Sequence, residues 1–309
     1  MNKPKDEPGL QTILSHCGRN LEASGGYVNV PPYEGSTILH DDMEDLFGRV
    51  DNHLYGDGTA QTYGTDGGPT HEAFYDAMNK LEGGAGTWAF STGLAGCTIP
   101  MMAFLKTGDH MLVTDSVYGP TRQFCEVLLK NFGVEAEFYE PTIGAGIEKL
   151  IRPNTRLIYM ESPGTHTFEM QDVPAIAAVA RKYNIVTMID NTYATPLNFQ
   201  PLKHGVDVVV HSATKYICGH SDVLMSTVTC NEKTWKQVRD VCKMTGQYAS
   251  AQSVYLGLRG LRTLKVRLDA VGVHTRKVVD WLLKREEVKK VIWPAYEKDP
   301  GYRIYKRDY

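Results

Sequence analysis

The expected fold is α/β: a mainly parallel sheet with helices on both faces. Three observations predict it. From Thr87 onward, short apolar runs rich in β-branched or aromatic residues alternate with stretches of helical spacing. That alternation suits a parallel sheet, because each crossover must carry the chain back over one face. The 309 residues are 42% apolar and 22% charged, so the chain can bury a sizeable core and is not wholly disordered.

Taken in order, residues 1–80 are irregular and rich in turn formers: Gly25-Gly26, Pro31-Pro32, Gly56-Asp57-Gly58 and Asp66-Gly67-Gly68-Pro69. Interspersed tyrosines suggest an arm that packs on another subunit. A helix is expected from Thr70, as N-cap, through Leu81. Strands are expected at Thr87–Phe90, His110–Thr114, Val134–Tyr139, Thr155–Met160, Ile185–Ile189 and Val206–Val210. The intervening helices read as Gly93–Leu105, Gly119–Asn131 and Val173–Tyr183, the last with Asp172 as N-cap and Pro174 in its first turn. Asp222–Thr229 suits a further strand, antiparallel to the rest. Beyond Asn231 the pattern turns helical, over Trp235–Met244 and one long helix from Ala251 to Lys284. Val288–Ile292 reads as a final strand.

Composition excludes several function classes. With 33 basic and 36 acidic residues, the formal charge of −3 gives no footprint for nucleic acid or an anionic membrane. Gly83–Leu105 is uncharged, yet its glycines and Pro100 suit a buried strand, turn and helix better than a membrane span. Met1–Ser15 lacks the apolar run of a signal peptide. Cys17, Cys97, Cys125, Cys218, Cys230 and Cys242 form no CxxC pair, which suggests reduced thiols in the cytoplasm. His211, Cys218 and His220 lack a suitably spaced fourth ligand, so no metal is expected. No glycine fingerprint of a dinucleotide-binding strand–turn–helix is present, and no Walker lysine.

Ligands of an open parallel sheet bind beyond the carboxyl ends of its strands, so reactive residues that follow strands carry the search. Asp190 ends an apolar strand, where a carboxylate is costly to desolvate unless it meets a cation. Lys215 follows the next strand within Ser212-Ala213-Thr214-Lys215, where low dielectric would lower its pKa and make the amine nucleophilic. Ser212 and Thr214 offer hydroxyls to a phosphate. Ser91-Thr92-Gly93-Leu94 joins a strand to a helix and offers close backbone approach with free N–H groups. Pyridoxal phosphate needs this set: an amine, an acid for its ring nitrogen, an anion site and a stacking ring, for which Tyr118 is available.

These motifs resemble the Cys/Met-metabolism family of pyridoxal-phosphate enzymes. The matching stretches are Tyr63-Gly64 with Gly68-Pro69-Thr70, Leu81-Glu82-Gly83-Gly84, Ser91-Thr92-Gly93-Leu94, Tyr118, Asp190-Asn191-Thr192, Ser212-Ala213-Thr214-Lys215-Tyr216 with Gly219-His220, and Arg259-Gly260-Leu261-Arg262-Thr263-Leu264. Glu161-Ser162-Pro163-Gly164 and Phe168–Pro174 resemble its cystathionine β-lyase branch. The γ-synthase and γ-lyase branches carry Asn where this chain has Thr165.

The resemblance implies an aspartate-aminotransferase-like fold and pyridoxal 5′-phosphate as cofactor. It implies Lys215 as the Schiff-base lysine, Asp190 on the ring nitrogen and Tyr118 stacked on the ring. Gly93, Leu94, Ser212 and Thr214 would bind phosphate, and Tyr63 would reach a neighbouring subunit's site. The implied activity is carbon–sulfur β-elimination of L-cystathionine in methionine biosynthesis. A γ-synthase or methionine γ-lyase type, or an impaired fragment retaining cofactor binding or assembly, is the alternative. The expected organisation is an arm over 1–62, a cofactor domain over 63–250, and over 251–309 a linker helix opening an incomplete C-terminal domain. A homo-oligomer, dimer or homotetramer, is implied. Thr65 and Asp66 depart from the family's Tyr-Gly-Arg, whose Arg binds phosphate.

Overall fold

The computed structural model describes residues 8–22, 24–56 and 58–309. Residues 1–7 of the leaderless start and Asp57 of the Gly56-Asp57-Gly58 turn lie outside the described residues. The helices are α1 (Leu10–His16), α2 (Met43–Tyr55), α3 (Pro69–Glu82), α4 (Gly93–Thr98), α5 (Gly119–Gln123), α6 (Val173–Lys182), α7 (Thr195–Asn198), α8 (Trp235–Met244), α9 (Ala251–Leu261), α10 (Leu264–Leu282) and α11 (Tyr302–Asp308). The strands are β1 (Gly86–Phe90), β2 (His110–Thr114), β3 (Glu135–Tyr139), β4 (Thr155–Glu161), β5 (Val186–Asp190), β6 (Val208–His211) and β7 (Ser226–Cys230).

The strands form one seven-stranded sheet in the order β1-β7-β6-β5-β4-β2-β3. β7 runs antiparallel to both β1 and β6, and the other pairs are parallel. The carboxyl ends of β1, β2, β4, β5 and β6 therefore share one edge. Alternation sets the two faces of the sheet. Met111, Val113, Leu157, Tyr159, Met188 and Val210 join the core on one face, and Leu112, Ile158, Met160, Ile189 and Val209 join that on the other. A third cluster packs α3 and α9 through Phe74, Met78, Leu81, Leu258 and Leu261.

Several expectations need correction. The segment before residue 80 is not wholly irregular, since α1 and α2 lie within it. Asp42 caps α2 by accepting the Asp45 N–H at 2.8 Å. Gly68, not Thr70, is the N-cap of α3, and Pro69 takes the first helical position. The Thr70 hydroxyl instead donates to the Pro31 carbonyl and accepts the Tyr33 N–H, tying the arm to α3.

The helix expected over Gly93–Leu105 tightens to a 3-10 turn after Thr98, where Pro100 lacks a donor. That expected over Gly119–Asn131 widens to a π turn over Phe124–Leu129. The long helix expected from Ala251 to Lys284 breaks at Arg262-Thr263 into α9 and α10. The Arg262 guanidinium donates to the Leu14 and Cys17 carbonyls, and that of Arg267 takes the Gly260 carbonyl at 2.9 Å. A Cβ on Gly260 would stand 2.1 Å from the Ile217 carbonyl oxygen, so glycine is required where this junction crosses the chain after Lys215. Val288–Ile292 forms no strand, because it has no ladder partner among the described residues. Among the described residues, no helix is long and apolar enough to cross a membrane.

Candidate active site

A cavity of about 1230 Å³ opens at the carboxyl edge of the sheet. Its floor and walls come from the ends of β1, β4, β5 and β6. Gly93, Leu94, Tyr118, Asp190, Ser212, Thr214 and Lys215 all line it, so the sheet brings together residues up to 122 positions apart in sequence.

Asp190 closes β5 and is only 8% exposed. Its Oδ1 accepts the Thr192 N–H at 2.9 Å, and its Oδ2 faces the Cys97 thiol at 3.6 Å. No cation pairs with it among the described residues. Burial pushes the Cys97 thiol far up, so it serves as a neutral donor. A buried carboxylate that opens on a cavity with only neutral donors suits a cationic group in that cavity.

Ser212 follows β6. Its N–H is held by the Thr192 hydroxyl at 2.7 Å, and its own hydroxyl makes no hydrogen bond among the described residues. A Cβ on Gly93 would lie 2.6 Å from Ser212 Oγ. Only glycine allows this approach, which leaves a narrow cradle of backbone N–H and hydroxyl groups at the start of α4. Thr92 caps that helix through the Ala95 N–H at 3.2 Å. The donor set fits a phosphate.

Two expected residues differ in detail. The Thr214 hydroxyl donates to the Met225 carbonyl at 3.1 Å and accepts the Met225 N–H at 2.9 Å, which commits it to the loop. Lys215 is exposed within the open cavity, not desolvated behind β6 as its strand context suggests. The turn from Ser212 to Tyr216, closed by Lys215 N–H to the Ser212 carbonyl at 3.0 Å, lifts the side chain clear of the core.

Tyr118, 44% exposed, stands at the start of α5, and its N–H donates to Glu161 Oε2 at 2.8 Å. Tyr63 lies elsewhere, half exposed in a smaller cavity of about 250 Å³ with Thr65 and Asp66. Asp66 has a structural use there: its carboxylate accepts from Thr62 N, Thr62 Oγ1 and Tyr63 N at 2.8, 2.9 and 3.1 Å. It builds the turn that presents Tyr63. His211 turns away from Cys218 and His220, onto buried Glu82.

The cavity also holds residues that strand-end reading did not single out: Cys97, Glu161, Thr192, His166, Phe168 and Tyr193. Glu161 carried the same signal as Asp190, an acid closing an apolar strand. Phe168 packs edge-on against Tyr193 at 5.4 Å, and burial pushes the Tyr193 phenol up to about 12.

The comparisons agree with this geometry. The family model described as Cys/Met metabolism PLP-dependent enzyme matches residues 11–309. A relative from Rhizobium johnstonii is 44% identical over 97% of this chain and 74% of its own. The Escherichia coli protein named cystathionine beta-lyase MetC is 38% identical over 97% of this chain and 76% of its own. The crystal structure of metB from Corynebacterium glutamicum superposes with a TM-score of 0.90 at 30% identity, covering 99% of this chain and 77% of that one. With the match running through nearly the whole described chain and the cavity fitting the group, this chain belongs to the Cys/Met metabolism PLP-dependent enzymes, with pyridoxal 5′-phosphate as its cofactor.

Proposed function

We propose that the chain is a carbon–sulfur lyase that converts L-cystathionine and water to homocysteine, pyruvate and ammonia. The observation that carries this reading is the buried, cation-free Asp190 carboxylate opening on the same cavity as the exposed Lys215 amine. The name of the Escherichia coli relative supports the substrate.

Pyridoxal 5′-phosphate supplies an electron sink that acidifies the Cα–H of a bound amino acid and lets a β-substituent leave. Lys215 Nζ holds the cofactor at rest, then takes the Cα proton and delivers a proton to the departing sulfur. Asp190 keeps the ring nitrogen protonated through a charge-assisted hydrogen bond. Tyr118 covers one face of the ring. Gly93 and Leu94 N–H groups with the Ser212 hydroxyl take the phosphate, while Thr214 orders their loop through Met225. The test is product analysis with added cofactor. Pyruvate and homocysteine are expected; cysteine with 2-oxobutyrate would move the chain to the γ-lyase type, and no keto acid at all would sink the reading.

The assembly we propose is a homo-oligomer, a dimer or a homotetramer built on it, with the arm on a neighbouring subunit. α2 buries none of its residues, and Met43, Phe47, Leu54 and Tyr55 are 61%, 60%, 54% and 81% exposed. Apolar surface gathered on one helix marks an interaction site. Such packing would carry Tyr63 toward a neighbour's cavity. Light scattering should find an oligomer, and Phe47→Glu with Leu54→Glu should shift it toward monomer and weaken cofactor binding. A monomeric wild-type chain would refute this. Six unbridged, buried cysteines support the reducing cytoplasm as its compartment.

A further inference from the structure

Glu161 ends β4 in register with Asp190 at the end of β5. Neighbouring strands lie about 4.8 Å apart, so the two carboxyl groups are neighbours on one face of the sheet. Each residue is 8% exposed. The groups that face them are Cys97 from α4 and Tyr159 from β4, both held neutral by burial. Lys215 and His166 share the cavity, and neither forms an ion pair with the acids among the described residues.

The two oxygens of Glu161 serve two different walls. Oε2 accepts the Tyr118 N–H at 2.8 Å, and Oε1 meets the Thr165 hydroxyl in a short hydrogen bond. The walls are zipped again where the Thr165 N–H donates to the Ser116 carbonyl at 2.9 Å. Beyond that tie the loop is strained, with His166 at φ 64° and Phe168 at φ 58°. Bulky residues hold such angles only where their surroundings enforce them, commonly beside functional sites. The base of Glu161 is itself fixed, since its carbonyl accepts from buried Gln171 Nε2 at 2.8 Å.

We propose that Glu161 is a positioning residue, the neutral partner of the Asp190 carboxylate, which ties Tyr118 to the Thr165–Phe168 loop and so sets the slot between them. Two ionised carboxylates side by side, without a cation, would repel in a low dielectric. Burial first, and then the Asp190 charge, push the Glu161 carboxyl up to about 8. One acid thus keeps its charge for a ring nitrogen, and the other gives up its charge and holds the walls. What occupies the slot rests on the cofactor reading above; the acid pair does not.

The experiment compares wild type, Glu161→Gln and Glu161→Ala as full chains. The first readout is thermal melting without cofactor across pH. A carboxyl raised from 4.5 to about 8 favours the fold below pH 4.5 and loses that contribution as pH rises toward about 8. Glu161→Gln stays neutral throughout. Its melting point should therefore gain on wild type through this window and stop gaining above it. A difference that does not change with pH would overturn the neutral pair.

The second readout is cofactor affinity from tryptophan fluorescence. Glutamine can still accept from Tyr118 and donate to Thr165, whereas alanine can do neither. Glu161→Ala should bind roughly tenfold or more weakly than Glu161→Gln. Equal affinities for the two variants would overturn the positioning role. A wild-type chain that binds no cofactor would sink the functional reading and the slot with it, while the melting series still judges the pair.

Discussion

Lys215→Ala should lose essentially all turnover, roughly ten-thousandfold or more, since one amine serves as both covalent anchor and proton carrier. The visible-edge absorption of the lysine-bound cofactor, which borohydride abolishes, should vanish with it. Lys215→Arg should not restore either, because a guanidinium stays protonated and is no nucleophile. The fold should survive both changes. Lys215 is exposed and forms no ion pair among the described residues, so its removal strands no buried partner. A near-wild-type melting point with a dead enzyme is therefore the expected signature. An unchanged spectrum in Lys215→Ala would move the anchor to another residue.

The chemistry was legible at Asp190 and Lys215 for one reason. Each follows a short apolar strand, and in a parallel sheet such strands deliver their last residues to a common edge. Glu161 follows the same rule at β4, yet nothing local separates a helper acid from a ring-binding one. That distinction lies in the partners: Tyr118 N–H and Thr165 on one side, Cys97 and Thr192 on the other. These contacts join residues 4 to 93 positions apart, beyond what spacing can show.

The fold was legible where period-two alternation met burial on both faces, as in Met111–Val113 and Leu157–Met160. It was less so where local signals competed. Turn formers dominate the arm and hide α2, whose apolar residues face outward and give no core. The break between α9 and α10 carries no proline. It is made by Arg262 and Arg267 reaching distant carbonyls, a tertiary choice over helical propensity. Asp66 looked like an anion that would oppose phosphate, but three local donors occupy its carboxylate.

Asp190→Asn should separate binding from chemistry. Asparagine keeps the shape, and its oxygen can still accept the Thr192 N–H, so the strand end should stay in place. The lost element is the charge that keeps the ring nitrogen protonated. Cofactor affinity should fall about tenfold, in line with trading a charge-assisted hydrogen bond for a neutral one. Turnover should fall further, roughly a hundred- to a thousandfold, because charge develops on the ring as the Cα proton leaves. Without cofactor the ordering reverses. Asp190 is then a buried carboxylate with no cation, beside Glu161, and neutralising it relieves desolvation and repulsion together. The cofactor-free Asp190→Asn chain should thus melt no lower than wild type. Three measurements decide this: cofactor affinity, turnover at saturating cofactor, and the cofactor-free melting point. Wild-type turnover in the variant would remove Asp190 from the chemistry. A sharply lower cofactor-free melting point would mean that the carboxylate serves the fold and not the ring.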